Sequence, residues 1–345
     1  MRAIAAVVHA KGRPFVLEPV EIDEPRDDQV IVRMVATGIC HTDMAFRDMF
    51  PWDRPMVLGH EGSGVVERVG GHITHLVPGD HVVLTFDSCG RCPRCTRGKP
   101  AYCEEMRARN FGARFFGQSS FASHALATGR NAIKVDTDLP LERLGPLGCG
   151  IQTGAGAVLN SLRVQPGASV AVFGAGAVGI SAVMAARIAG ASTIIAVDVK
   201  RERLDLAIEL GATQAVNSVE TDAVERVRQL TAGGADFTVE TTGLQDVLRQ
   251  AVVSLVPLGV CGMIAGAEVP VVLPWRDVLY GRTLRGIIQG DSIPTEFIPK
   301  LIELHRQGRF PFDRLIRTYR FAQINEAAAD SLSGKTVKPV LAFDA

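Results

Sequence analysis

The sequence predicts an α/β chain of two domains, with a β-rich domain over 1–150, a doubly wound parallel-sheet domain over 151–288 and a return to the first domain over 289–345. Three observations predict it. The 345 residues, 47% of them hydrophobic, are more than one core usually serves and enough to fill two. The hydrophobic rhythm changes near residue 160, and a glycine-rich turn directly after an apolar strand opens the second part.

The first part reads as short β-rich runs broken by Gly, Pro and Asp: IAAVV, PFVLEPVEI, DQVIVRMVATGIC, GSGVVERVG and DHVVLTF. Such runs indicate antiparallel or barrel-like β structure. The second part alternates the strands SVAVFG, TIIAVDV, QAVNSV, FTVETTG and VCGMIAG with the helical stretches VGISAVMAARIAG, RERLDLAIELG and AVERVRQLTAGG. That alternation indicates βαβ units and a parallel sheet. PVVLP at 270–274 reads as an edge strand able to pair across a two-fold. Past residue 288 an amphipathic helix, TEFIPKLIELHRQGR, and a strand, KPVLAF, are too short for a third domain and are expected to pack on the first.

Charge narrows the function classes. The 37 basic residues balance the 37 acidic ones, so no global field draws the chain to nucleic acid or an anionic membrane. Small molecules, and further copies of the chain in a homodimer or homotetramer, are the expected partners. The start shows no secretory pattern and nothing downstream runs apolar for ~18 residues, so a cytoplasmic location is expected. Seven cysteines in such a chain point to metal rather than disulfides.

Cys89, Cys92, Cys95 and Cys103 form C-x2-C-x2-C-x7-C in a Gly- and Pro-containing loop. Four thiolates closing tetrahedrally on Zn2+ leave no open position, which makes a structural site. An iron–sulfur set has the right cysteine count but lacks a typical ferredoxin spacing. Arg91, Arg94, Arg97 and Lys99 stand where they could offset the thiolate charge. Gly174, Gly176 and Gly179 form G-x-G-x-x-G between a strand and a helix, and the next strand ends in Asp198. The glycines permit a tight turn, close approach of a pyrophosphate and close helix packing, while Asp198 accepts from ribose hydroxyls and disfavours a phosphate there. The pattern predicts NAD over NADP, a preference softened by the nearby Lys200, Arg201 and Arg203.

Cys40 in GICHTD, His60 and Glu61 in LGHEGSG, and Cys149 in PLGCGIQTG are unremarkable one at a time; together they supply a Cys2His zinc set with one position open for substrate. With GHE-x-x-G-x-V at 59–66, the four-cysteine lobe and the nucleotide fingerprint in this order, the chain resembles the zinc-dependent alcohol dehydrogenases of the medium-chain dehydrogenase/reductase superfamily over essentially its whole length. CHTDMAFRD, FFGQSSFASHA, LGPLGCGIQTGAGAVLNSL and QGDS at 289–292 are most similar to the aryl-alcohol and terpene-alcohol members.

The resemblance implies a GroES-like catalytic domain, a Rossmann domain, NAD and two zinc ions per chain. Cys40, His60 and Cys149 match the catalytic zinc ligands, Asp43 the carboxylate that orients the ligand histidine, and Glu61 a carboxylate behind the metal. Thr42 matches the hydroxyl that shares a hydrogen bond with the substrate oxygen. Thr153 and Val178 match residues against the nicotinamide, and His41 and Lys338 match positions that meet the pyrophosphate. Cys261 belongs to none of these sets and reads as a buried strand residue.

The implied reaction acidifies the alcohol, passes its proton to Thr42 and its hydride to C4 of NAD in a cleft between the domains. Many relatives relay the proton to a histidine three positions beyond the hydroxyl residue; here that position is Ala45, which predicts release through water. Phe46, Phe50 and Trp52, with Phe111, Phe115, Phe116 and Phe121, could form an apolar slot for an aryl or allylic alcohol or be ordinary core. Asp291 could mark that pocket or a solvated turn. Competing functions are a dehydrogenase for terpene, short-chain or polyol alcohols and a non-catalytic NAD-binding structural protein. The second is disfavoured by the complete ligand set.

Overall fold

In the computed structural model, which describes residues 1–49, 54–136, 138–266 and 269–343, the chain divides into two units. The first comprises Met1–Gly150, Ile293–Glu303 and Phe312–Ala345, and the second Ile151–Ser292 and Leu304–Pro311.

The first unit opens with β1 (Arg2–Val8), β2 (Val16–Glu21), β3 (Gln29–Gly38), helix α1 (His41–Asp48), β4 (Met56–Val57), β5 (Gly62–Val69), β6 (His81–Leu84), β7 (His124–Thr128) and β8 (Ala132–Lys134). Its later part supplies β15 (Ile316–Arg320) and β16 (Lys338–Ala342). The larger sheet runs β15-β16-β3-β5-β6-β8, with β7 also pairing with β3, and a smaller sheet runs β2-β1-β4. β3 is apolar along most of its length because it is covered by neighbours, with only Arg33 exposed. The core beneath it gathers Val30, Val32, Val66, Val82 and Leu84, while Phe15, Phe115, Phe121 and Leu341 fill a second core around α1. Burying residues of this size supplies ~1.5–3 kcal/mol each.

The second unit contains β9 (Ser169–Phe173), α2 (Ala177–Ala189), β10 (Thr193–Asp198), α3 (Arg201–Glu209), β11 (Gln214–Asn217), α4 (Ala223–Leu230), β12 (Ala235–Glu240), α5 (Gln245–Val253), β13 (Leu255–Met263) and β14 (Thr283–Gly286). All pairs are parallel, in the order β11-β10-β9-β12-β13-β14. The order reverses between β9 and β12, which opens a crevice at their carboxyl ends. The apolar runs of β9 and β10 are buried, as a sheet carrying helices requires.

Two expectations are corrected. PVVLP forms no strand: Pro270 and Pro274 bound an irregular stretch with Val271 and Val272 exposed, and β14 is the sheet edge. Proline cannot donate to a ladder, so apolar β-branched content alone does not make the stretch a strand. Asp291 is neither solvated nor free, because its side chain is 1% exposed and accepts from Arg285 Nη2 at 2.8 Å. Phe50 and Trp52 lie outside the described residues. Among the described residues no helix is long and apolar enough to cross a membrane.

Candidate active site

Cys40 lies just past β3 and caps α1, and residue 43 closes that cap with its side chain. Asp43 Oδ2 accepts from Cys40 N at 2.8 Å, the carboxylate arm of a capping box. Its other oxygen accepts from Gly59 N at 3.1 Å and meets His60 Nδ1 at 2.8 Å. One buried carboxylate therefore fixes both the helix start and the imidazole. Gly59 takes φ +90°, and a Cβ there would come within 2.5 Å of Phe121 N, so only glycine turns the chain sharply enough to deliver His60.

The ligand atoms of Cys40, His60, Glu61 and Cys149 lie within 4.8 Å of one another. Tetrahedral zinc with Zn–S ~2.3 Å and Zn–N ~2.0 Å sets its donors about 3.5–3.8 Å apart, close to this set. His60 Nε2 is buried and has no hydrogen-bond partner among the described residues. A buried ring nitrogen facing two thiols and accepting from nothing is what a metal ligand requires. The residues fit zinc.

The ionisable groups of the cluster act on one another. A hydrogen bond from Cys149, aided by His60 and Lys338 against the cost of burial, pulls the Cys40 thiol well below its usual range, while that bond and burial push Cys149 well above it. Burial resists charge on His60, but Asp43 and Cys40 outweigh it and hold the imidazole well above its ordinary value. Of the two thiols, Cys40 is thus the one favoured as thiolate.

Lys338 has a partner other than the expected pyrophosphate. Its Nζ lies 2.9 and 3.0 Å from the two oxygens of Glu61 and 3.2 Å from the Ile39 carbonyl, with the ammonium almost wholly buried. Burial raises Glu61 above the usual carboxylate range even with Lys338 beside it. Thr42 Oγ1 lies 3.7 Å from Cys40 Sγ, at the edge of the cluster, and His41 is exposed on the first turn of α1.

In the lobe, the four thiol sulfurs of Cys89, Cys92, Cys95 and Cys103 also lie within 4.8 Å of one another. Backbone N–H groups of Cys92 and Cys89 donate to Cys89 Sγ and Cys103 Sγ at 3.3 Å, and Glu105 N donates to Cys103 Sγ at 3.4 Å. Backbone N–H bonds, first from Glu104, bring Cys92 down to about 6, whereas burial sends Cys95 up to about 12. The set suits a closed tetrathiolate site. Arg91 pairs with Glu105 at 2.9 Å rather than with a thiol.

In the second unit, Gly174 takes φ +93° where β9 ends, and a Cβ on Gly179 would fall inside the Gly174 carbonyl oxygen. A Cβ on Gly176 would meet nothing within 4 Å, so this backbone is open to a ligand. Val178 lies in the first turn of α2. Asp198, at the end of β10, accepts from Ala175 N at 2.7 Å and Lys200 N at 2.9 Å, which ties it to the glycine turn. Its carboxylate retains acceptor sites for ribose hydroxyls. Thr153 is buried, with Oγ1 3.4 Å from Gln289 Oε1. Cys261 is fully buried on β13, and burial pushes its thiol up to about 12.

The aromatic residues cluster beside the first ligand set. Phe46 stacks on Phe111 at 5.1 Å and meets Phe115 at 4.8 Å, and Phe115 and Phe116 both touch the His60 ring. Phe121 is core, edge-on to Phe15. Gln118 and Asn131 were invisible to sequence reasoning. Gln118 Nε2 donates to the His60 carbonyl and its Oε1 accepts from Gly62 N, while Asn131 holds the turn beside them. Gln118 lies within the FFGQSSFASHA stretch, which gave it no role of its own, and Asn131 belongs to no spaced motif.

Two family models match, a zinc-binding dehydrogenase model over residues 177–306 and an alcohol dehydrogenase GroES-like domain model over residues 26–137. The chain is 47% identical to a geraniol dehydrogenase of Castellaniella defragrans, with 99% of this chain and 98% of the relative covered. It is 33% identical to alcohol dehydrogenase 1 of Pisum sativum over 99% of this chain and 97% of that one. Among solved structures, the benzyl alcohol dehydrogenase of Acinetobacter calcoaceticus matches with a TM-score of 0.97 and 46% identity, each chain covered in full.

Proposed function

We propose, since this chain belongs to the zinc-dependent alcohol dehydrogenases of the medium-chain dehydrogenase/reductase family, that it oxidises primary aryl or allylic alcohols to aldehydes with NAD. Its fold is that family's GroES-like domain joined to an NAD-binding parallel sheet, and zinc and NAD(H) are the family's cofactors. The observation that carries the finer reading is the aromatic cluster in which Phe46 and Phe111 pack on Phe115 and Phe116, the two rings that touch His60 of the Cys40–His60–Cys149 set. Similarity to a geraniol and a benzyl alcohol dehydrogenase supports the same substrates.

In this reading Cys40, His60 and Cys149 hold the catalytic zinc, and the four lobe cysteines hold a second. When bound, zinc supplies the Lewis acidity that makes an alcohol hydroxyl acidic near neutral pH, and NAD supplies the hydride acceptor. Asp43 keeps the His60 proton on Nδ1 and so leaves Nε2 as the donor atom toward the metal. Thr42, beside Cys40, accepts the substrate hydroxyl proton and hands it to water, because Ala45 offers no acceptor. Glu61, neutralised by Lys338, keeps the floor of the cluster near zero charge. The glycine turn at 174–179 receives the pyrophosphate, Asp198 the ribose, and Thr153 and Val178 flank the nicotinamide. His41 and Lys338, the latter also paired with Glu61, are the candidates for pyrophosphate contacts.

The test is NAD-coupled turnover of benzyl alcohol, geraniol, ethanol and sorbitol. Benzyl alcohol and geraniol should exceed the other two in kcat/KM by about tenfold or more, the discrimination an apolar slot provides. Equal values, or preference for sorbitol, would overturn the specificity. Cys149→Ser should abolish turnover with the fold retained, whereas Cys95→Ser should chiefly lower stability.

A further inference from the structure

Phe116 adopts φ +51°, a conformation a bulky side chain takes only when its surroundings impose it. Gly117 and Ser119 follow at +65° and +49°, so the turn holds three left-handed residues within four. Two of them are not glycine. The arrangement is held from several sides: Phe116 N donates to the Asn110 carbonyl, Ser119 Oγ accepts from Phe115 N, and the fully buried Asn131 donates to the carbonyls of Phe116 and Gly117 at 3.2 and 3.3 Å.

The strained conformation places the Phe116 ring against His60, with centroids 4.3 Å apart and planes 21° from parallel. Phe115 meets the same imidazole edge-on at 5.4 Å, and Gln118 grips the backbone of His60 and Gly62. Asp43 fixes one atom of the imidazole, Nδ1, and leaves the ring free to tilt about that bond. A second ring lying on its face fixes the plane. We propose that Phe116 is a positioning residue for the catalytic metal: the left-handed turn 116–119 clamps the plane of His60 and aims Nε2 at the ion.

This inference rests on His60 being a zinc ligand, and it departs from the expectation that Phe116 is simply wall for an aromatic alcohol. The two roles predict different losses. A clamp governs how long the metal stays and how well the donor is aimed, so its loss lowers kcat for every alcohol alike. A substrate wall governs KM and the preference between alcohols.

The experiment uses the zinc-loaded chain, Phe116→Leu, Phe116→Tyr and Asn131→Ala. Metal transfer to a chromogenic chelator is followed in time, alongside kcat and KM for benzyl alcohol and ethanol. Phe116→Leu should release the zinc of the His60 site, identified as the one missing from His60→Ala, about tenfold faster, the usual scale for losing a group that orients a metal ligand, with the other zinc unchanged. It should lower kcat for both alcohols in proportion. Phe116→Tyr, which keeps a ring on the imidazole, should restore slow release, and Asn131→Ala should reproduce part of the Phe116→Leu effect without altering the ring. Release at the parent rate in Phe116→Leu, or a change confined to KM and alcohol preference, overturns the clamp. Should the parent hold only one zinc, with His60→Ala leaving it in place, the ligand assignment itself fails, which is distinct from failure of the clamp.

Discussion

Replacing Lys338 by methionine tests whether the cluster's charge is balanced from within. Glu61 is fully buried, Lys338 Nζ contacts both of its oxygens, and Gly38 lies so close to the carboxylate that no side chain would fit between them. The only other bond to that carboxylate among the described residues is a long one from Gly150 N at 3.3 Å. Without the ammonium the charge keeps only that one long bond. Removing one member of a buried pair costs about 3–5 kcal/mol. At ~2–4 °C per kcal/mol for a domain of roughly 200 residues, the first thermal transition of the zinc-loaded chain should fall by about 6–20 °C in Lys338→Met. Circular dichroism melting reads it directly. The double variant Lys338→Met with Glu61→Gln should recover at least half the loss, because no charge is then stranded. A single variant melting within ~2 °C of the parent, or a double variant no better than the single, would refute the reasoning.

Three further outcomes are expected. Gly176→Ala should melt like the parent yet bind NADH at least about tenfold more weakly, because its methyl occupies only the ligand's space, whereas Gly179→Ala should also lose ~1–3 kcal/mol of stability through overpacking on Gly174; parent-like NADH titration of Gly176→Ala counts against the pyrophosphate assignment. Asp198→Ala should weaken NAD and relax discrimination against NADP, and an unchanged ratio of the two affinities would remove Asp198 from that role. Asp330 accepts from Tyr319 and Lys335, which hold its carboxyl below the usual range. A depressed acid stabilises the fold above its unfolded pKa of ~3.9 and loses that contribution as pH falls through the folded value, so urea midpoints of the parent and Asp330→Asn should differ most above pH ~4 and converge below it. A gap independent of pH would show that the side chain acts by packing alone.

What could be read from the sequence was what is encoded locally. The lobe cysteines span fifteen residues and the glycine turn six, so spacing alone states their chemistry. The strands from SVAVFG to VCGMIAG announce themselves because a sheet buried on both faces needs continuous apolar runs. Cys40, His60 and Cys149 were joined by the donor set they make together and by the resemblance, since nothing in their local sequence says that they meet. Lys338 and Glu61 are 277 positions apart, and a lone lysine before a terminal strand carries no sign of its partner. The left-handed Phe116 was equally hidden: a phenylalanine there contradicts local preference and is held by tertiary hydrogen bonds. PVVLP failed in the opposite direction, its composition promising a strand that its flanking prolines withhold.

The first unit is discontinuous, and that orders events at the ribosome. β16 pairs with β3 through Val340 and Gly38, and it brings Lys338 to a carboxylate made some 277 residues earlier. A nascent chain adding about 5–20 residues per second has all three proposed zinc-ligand side chains once Cys149 emerges, but not yet the cation beneath them. The second unit, by contrast, is nearly contiguous and can mature while synthesis continues. The cluster's last component thus arrives long after its ligands, so a chain cut before Lys338 should carry all three ligand side chains without the cation that pairs with Glu61. Pairing of β16 with β3, rather than appearance of the ligands, is then the event that completes the charge balance of the cluster.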